Sequence, residues 1–305
     1  MKRYPTPEAF RQALEQRLRT AARHGADFAR RRQLLVFDRF LARITSVFGD
    51  RVVLKGGLVL ELRLAQARTT RDVDLHLAAE AAASLPGRLQ EAASLDLGDG
   101  MTFEVVVDPD HATITNPGMR YDGQRFRATC RLAGKLYGQP FGVDVGFGDP
   151  ILGKPDVVVA ADLLGFAGIP PPKLRLYPVV THVAEKLHAY TMPRPTPNSR
   201  VKDLPDLALL AGTGAIAAAE LREACESTFA WRNTHKLPAA LPAAPEAWQV
   251  PYATLARKDR LSWPTLAAVT EAVRAFLDPL LAGSLRATWN PAAWNWRAAP
   301  SKRGS

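Results

Sequence analysis

Between Leu54 and Ala78 the chain reads LKGGLVLELRLAQARTTRDVDLHLA, and two of its acids, Asp72 and Asp74, alternate with Val73 and Leu75. Successive side chains of an extended strand leave on opposite faces, so both carboxylates point one way while Val73 and Leu75 point the other. Two like charges this close repel unless a cation lies between them, and carboxylate oxygens on a rigid element suit Mg2+ or Mn2+. Upstream, Gly56 and Gly57 stand at a strand-to-helix turn, where a missing side chain lets a phosphate approach the backbone amides and the helix N-terminus. Downstream, Asp144 in FGVDVGFGD sits between two valines and repeats the apolar-acid-apolar pattern on a second strand. Three acids converging on one point suit two metal ions, one on a triphosphate and one on an attacking oxygen. That is the chemistry of phosphoryl or nucleotidyl transfer.

The surrounding pattern supplies the scaffold. Thr6 and Pro7 open a helix that Gly25 is expected to end, and a second helix comes next with Leu34, Leu35, Phe37, Phe40, Leu41 and Ile44 as its apolar stripe. RVVLKGG reads as a strand, LVLELRLAQA as a helix and DVDLHLA as a strand; MTFEVVVDP, MRYDGQRFRATCRLAG and QPFGVDVGFGD continue as antiparallel strands, with a hairpin signal at Asp122-Gly123. PPPKLRLYP marks a connection into a helix carrying THVAEKLHAYTM. Beyond KDLPDLALLAG the pattern is mostly helical, with Pro238 to Pro251 as a loop and a flexible tail in which Trp289, Trp294 and Trp296 are the packing residues. The fold class is therefore α+β, and no internal repeat is present.

Composition bounds the function classes. With 305 residues, 47% of them hydrophobic and 23% charged, the chain is long enough to bury a core and reads as globular. Two cysteines make neither a disulfide framework nor a zinc set, and neither a secretory h-region nor a long apolar run is evident, so a cytoplasmic protein without membrane insertion is expected. The net charge is +10, and residues 1 to 43 carry eleven Lys or Arg against four Asp or Glu. A face of Arg11, Arg17, Arg19, Arg23 and Arg30 to Arg32 is suited to a polyanion such as RNA; an ordinary solvated helix face is the alternative.

A glycine turn followed by DxD and then by a lone acid between hydrophobic residues resembles the DNA polymerase beta-type nucleotidyltransferase superfamily. More narrowly, LKGGLVLELRLAQARTTRDVDLHL followed by VVTHVAEKLHAYTMPRPTPNSRVKDLPDLALL resembles the AbiEii toxin-like nucleotidyltransferases, whose later motif pairs a helical lysine with Arg-x-Lys-Asp-x-x-Asp. The resemblance implies a mixed, antiparallel-rich nucleotidyltransferase sheet flanked by helices in residues 1–170 and a helical region, 171–305, that contributes Lys186 and Asp203 to the cleft. By the same resemblance Asp72, Asp74 and Asp144 are metal carboxylates, with Asp144 also the third acid and general base. Gly56, Gly57, Arg68, Thr70 and Lys186 would contact the NTP. Asp203, or Asp206 three residues on, is the acid that closes the site.

The activity implied by this resemblance is transfer of NMP from an NTP, with Mg2+ or Mn2+, to a hydroxyl acceptor, the 3′ end of tRNA being expected. The protein would act as the toxin of a toxin–antitoxin pair with a cognate antitoxin as partner. Two other functions stay open: nucleotidylation of a protein or small molecule by the same site, and a non-catalytic binding protein of the same fold. Each residue also has a plainer role available. Arg63, Arg68 and Arg71 can balance nearby carboxylates, Lys186 can be a solvated helix residue, and Asp203 and Asp206 can pair with Lys202 at a helix start. His182 and His188 are expected to be satisfied packing or surface histidines, because HVAEKLH lacks the HExxH zinc spacing.

Overall fold

Thr6 caps the first helix: its hydroxyl accepts from the Ala9 amide at 3.1 Å, Pro7 takes the first helical position, and α1 runs Pro7–Ala21. Gly25 does not end it. His24 instead caps α2 (Gly25–Phe48) by accepting from the Asp27 amide, so the glycine begins the second helix. The computed structural model describes residues 4–64, 70–78, 83–114, 123–148, 150–194 and 198–298.

After α2 come β1 (Val52–Lys55), α3 (Gly56–Arg63), β2 (Val73–Leu77), α4 (Leu85–Ala93), β3 (Met101–Val107), β4 (Thr113–Ile114), β5 (Gly123–Leu132), β6 (Lys135–Leu136), β7 (Phe141–Gly146), β8 (Asp156–Val159) and β9 (Lys173–Leu176). They build one mixed sheet in the order β3-β5-β7-β2-β1-β9-β8, with β4 and β6 on β5. Parallel pairing joins β2 to β7 and β1 to β9, and the other neighbours are antiparallel. This is the α+β architecture the sequence implies.

Asp122 of the anticipated hairpin lies outside the described residues; Gly123 begins a ten-residue strand that pairs antiparallel with β4 across that segment, and a further tight turn falls at Ala133-Gly134, between β5 and β6. One local expectation changes. The segment after the prolines, expected as a connection, holds β9, whose Leu174 and Leu176 alternate into the core.

Alternation divides the sheet into two faces. Val73, Leu75, Val143, Val145 and Phe126 point into a core covered by α1, α2 and α4. Phe40 of α2 packs between Phe103 and Phe141, at ring separations of 5.7 and 5.4 Å. Full burial of a side chain of this kind stabilises the fold by about 1.5–3 kcal/mol. Buried within the same core, Asp99 receives both arms of the Arg43 guanidinium at 2.8 Å and the Arg39 Nε at 2.8 Å. Burial alone would raise the Asp99 pKa, but Arg43 and then Arg39 override it and hold the carboxyl below its ordinary range.

The second half is built from α5 (Val179–Thr191), α6 (Asp203–Ala211), β10 (Ile216–Ala217), α7 (Ala218–Arg232), α8 (Gln249–Asp259), α9 (Leu266–Leu281), β11 (Ala287–Asn290) and β12 (Asn295–Ala298). Its apolar cluster holds Leu187, Leu207, Leu221, Phe276 and Trp289, and Leu60 of α3 joins it, so α3 links the sheet to the helices. The proline-rich segment ends in structure: Gln249, Val250 and Pro251 form the first turn of α8, where an amide needs no helical partner. The tail builds β11 and β12. Trp289, Trp294 and Trp296 each donate their indole N–H to a backbone carbonyl, of Ala211, Ala272 and Phe276 respectively. Among the described residues no helix is long and apolar enough to cross a membrane.

Replacing Asp99 by Asn keeps the shape but leaves two buried guanidinium groups without their countercharge. Urea denaturation at pH 7 is expected to show a loss of about 3–5 kcal/mol; a loss below about 1 kcal/mol would mean the cluster is not a determinant of stability.

Candidate active site

The strand register sets the site. Lys55 on β1 lies opposite Asp74 on β2, Asp74 opposite Asp144 on β7, and Asp144 opposite Arg125 on β5. Register partners on neighbouring strands share a face, so four side chains form one row of charges, positive, negative, negative, positive, on the face turned away from the first core. Asp72 stands one residue before β2 on the same side.

Close approach in this row is made possible by glycine. Gly56 opens α3 at φ +70°, and a Cβ there would fall inside the Asp74 carboxylate. A Cβ on Gly142 would lie 2.8 Å from Asp72 Oδ1. The pairing β2–β7 thus brings Asp72 over Gly142 as it brings Asp74 beside Asp144.

The charges are unevenly matched. Arg125 donates through Nε and Nη2 to the two oxygens of Asp144 at 2.7 and 2.8 Å, a fork that raises the guanidinium's own pKa. Asp74 is half-buried on the cleft floor; burial first, and then the neighbouring Asp144 charge, push its carboxyl up to about 6 despite Lys55 and Lys186. No group of three His, Cys, Asp or Glu side chains stands in metal-holding geometry among the described residues, and Asp144 has both oxygens on Arg125. The donor chemistry still fits a hard divalent cation, because Asp72 and Asp74 offer carboxylate oxygens beside the like charge of Asp144, and a cation among them offsets both that repulsion and the cost of burying the Asp74 charge. Asp72 and Asp74 would hold it, with Asp144 beside them.

Helices α5 and α6 form the opposite wall. Lys186 reaches Asp203 at 2.8 Å and Asp206 at 2.9 Å, and these two carboxylates are only 2% and 0% exposed. The choice between Asp203 and Asp206 thus becomes a shared lysine, and the anticipated pairing with Lys202 gives way to one with Lys186. Glu185, adjacent on α5, accepts from the Tyr177 hydroxyl at 2.7 Å and faces Lys55 and Arg232. His188 shares a hydrogen bond with Thr234 and packs on Phe229, in keeping with a satisfied packing residue. His182 departs from that expectation: it is buried, both ring nitrogens lack a hydrogen-bond partner among the described residues, and burial followed by the Lys186 charge lowers its pKa to about 3, leaving a neutral ring.

Between the sheet and these helices lies a cleft of about 910 Å3 bordered by Gly56, Gly57, Thr70, Asp72, Lys186 and Asp203. Thr70 is held by its backbone, since Arg30 donates to its carbonyl at 2.9 Å and Glu61 both accepts from its amide and pairs with Arg30. Arg68 lies outside the described residues. Arg63 turns away to Asp156 and the Tyr177 carbonyl, whereas Arg71 lines the cleft.

The basic N-terminal face is largely engaged within the protein. Arg30, Arg31 and Arg32 pair with Glu61, Asp27 and Glu15, and Arg17 stacks on Phe166. Basic side chains that do border the cleft come from later in the chain: Arg194, Arg200, Lys202, Arg232 and Lys258. Sequence reasoning does not single out Lys55, Arg125, Gly142 or Glu185 for the site, and it assigns His182 to packing. Arg125 and Lys55 become visible only through the register; a glycine two residues before Asp144 is the available signal for Gly142.

The fold is shared with nucleotidyltransferases. MenT4, the nucleotidyltransferase toxin Rv2826c from Mycobacterium tuberculosis H37Rv, superimposes with a TM-score of 0.58 at 18% identity, over 93% of this chain and 92% of that one. Two crystal structures from Helicobacter pylori, one of them of JHP933, match at 16% identity over 81% of this chain and 97% and 94% of their own, with TM-scores of 0.44 and 0.42. No curated protein sequence matches the chain. The family model for the nucleotidyl transferase AbiEii toxin of type IV toxin–antitoxin systems matches residues 39–294, and the chain belongs to that family. It is accordingly a nucleotidyltransferase toxin, of a system that pairs toxin with antitoxin.

Two measurements test the geometry. Gly142→Ala pushes the Asp72 carboxylate out of line, so nucleotidyl transfer is expected to fall about 10–100-fold while the melting temperature moves by less than about 3 °C. Asp74 has a folded-state pKa near 6 against 3.8 for the ordinary carboxyl. Its ionised form therefore costs stability above pH 6, and below pH 3.8 the cost is gone. Asp74→Asn should stabilise the protein by roughly 1–2 kcal/mol at about pH 7.5 in urea denaturation, with the gain shrinking toward about pH 4; an equal gain at both pH values would contradict this origin.

Proposed function

We propose that the cleft transfers NMP from an NTP to the 3′-terminal hydroxyl of an RNA, tRNA being the expected acceptor. The observation that carries this reading is the row Lys55–Asp74–Asp144–Arg125, with Asp72 beside it, on the floor of a cleft whose rim is basic. Two acids lie between two bases where a triphosphate and a hydroxyl need opposite partners.

In this mechanism the acceptor oxygen attacks the α-phosphorus in line, the bond to the bridging oxygen breaks, and pyrophosphate leaves. Asp144 accepts the proton of the attacking hydroxyl. Asp72, Asp74 and Asp144 would hold Mg2+ or Mn2+, which when bound would supply positive charge against the phosphates and lower the hydroxyl's pKa. Lys186 serves the β- and γ-phosphates as a point charge, kept in place by Asp203 and Asp206. Gly56 and Gly57 leave the first amides of α3 open to the phosphate chain. Arg68 and Thr70 are assigned to the triphosphate by resemblance alone. His182, beside Lys186, stays uncharged and so adds no like charge to it.

The rim of Arg194, Arg200, Lys202 and Lys258 would follow a polyanionic backbone, which favours RNA over a small molecule as acceptor. A cognate antitoxin is the protein partner implied by the family. Incubation of the protein with total RNA, Mg2+ and each α-32P-labelled NTP in turn is expected to label tRNA-sized RNA, and to fail in the Asp72→Ala, Asp74→Ala variant. Label on a protein or small-molecule pool with none on RNA would keep the transferase and remove the RNA acceptor.

A further inference from the structure

Arg125 holds Asp144 with a full two-point fork, yet Asp144 is the acid that nucleotidyl transfer needs. The guanidinium is anchored at its base by the β5–β7 ladder and by the Arg125 amide, which donates to the Ala112 carbonyl at 2.9 Å. Its side chain is 36% exposed, against 21% for that of Asp144, and it borders the cleft. A fixed backbone with an open head group can exchange partners without disturbing the sheet. The planar fork fits a phosphate as well as a carboxylate, which an ammonium group does not match. Because Arg125 takes both Asp144 oxygens, a divalent cation held there would compete with the guanidinium for them and meet it as a like charge.

We propose that Arg125 is a latch between nucleotide and metal: with no nucleotide bound it occupies Asp144, and an arriving triphosphate draws the guanidinium onto its phosphates, releasing Asp144 to the cation. The inference rests on the metal-dependent transfer proposed above. Because the triphosphate and the cation each favour the same swung position of Arg125, their binding is positively coupled, and linkage makes the coupling reciprocal. Lys55, on the other side of Asp74, cannot play this part, since its register partner is Asp74 and its amine also faces Glu185.

The test compares wild type, Arg125→Gln and Arg125→Lys, each checked for folding by circular dichroism. Mn2+ binding without nucleotide is read from the electron paramagnetic resonance signal of free Mn2+. Binding of the four α,β-methylene nucleoside triphosphates, in turn, is measured by calorimetry at saturating Mg2+. Arg125→Gln is expected to bind Mn2+ roughly tenfold more tightly than wild type, and the preferred analogue roughly tenfold more weakly. Arg125→Lys, which keeps the charge but not the fork, should fall between. Adding Asp72→Ala and Asp74→Ala to Arg125→Gln should abolish the gain in Mn2+ affinity. Equal Mn2+ affinity in wild type and Arg125→Gln overturns the latch while leaving metal-dependent transfer standing. If no variant binds Mn2+ with or without an analogue, the metal reading fails and the latch fails with it.

Discussion

The parallel pairing of β2 with β7 is the constraint on which the molecule turns. It places Asp74 against Asp144 on one face and Val73 against Val143 on the other, in the same register. A slip of one residue would send the acids into the apolar core and the valines into the cleft, so hydrophobic burial of Val73, Leu75, Val143 and Val145 fixes the position of every charged group in the row. The free energy that assembles the site thus comes from the opposite side of the sheet.

Around that row the protein matches charge locally. Arg125 sits on Asp144, Lys186 on Asp203 and Asp206, and Glu185 between Lys55 and Arg232. Asp74, by contrast, has no arginine fork among the described residues, and burial first, then the like charge of Asp144, raises its pKa. Arg30 and Glu61 carry the same logic outward by fastening the backbone at Thr70, just before the acids. An arginine that sequence composition assigns to a polyanion-binding face instead positions the chain that enters the cleft.

How far the sequence can be read tracks the range of the interactions. Alternation within DVDLHL and FGVDVGF reveals two strands and the facing of Asp72, Asp74 and Asp144, because period two is a local property. The helical lysine and the Asp203 and Asp206 pair come from family resemblance, and the structure brings them to one ammonium group. Gly25 is misplaced by sequence alone because a glycine after a helix and a glycine at the next helix start look alike when two helices nearly abut. β9 is hidden by the three prolines before it, and the start of α8 by the prolines around it. Arg125 is out of reach for a different reason: its meaning depends on which strand lies beside β5, a long-range fact that spacing along the chain does not encode. The family rests on kinship with known proteins, whereas the residue roles are proposals drawn from resemblance and from the geometry of the cleft.

The same parallel pairing has a consequence for the birth of the protein. Asp74 and Asp144 lie far apart along the chain, with β3 to β6 between their strands in sequence, so β7 must be made and must find β2 before the two acids meet. Lys186 and its two acids come later still. A ribosome making this toxin therefore releases much of the chain before the acids of the cleft have met, and contacts of such long sequence separation are slow to close. The cell that synthesises it has an interval, between translation and the completion of the sheet, in which the catalytic apparatus does not yet exist.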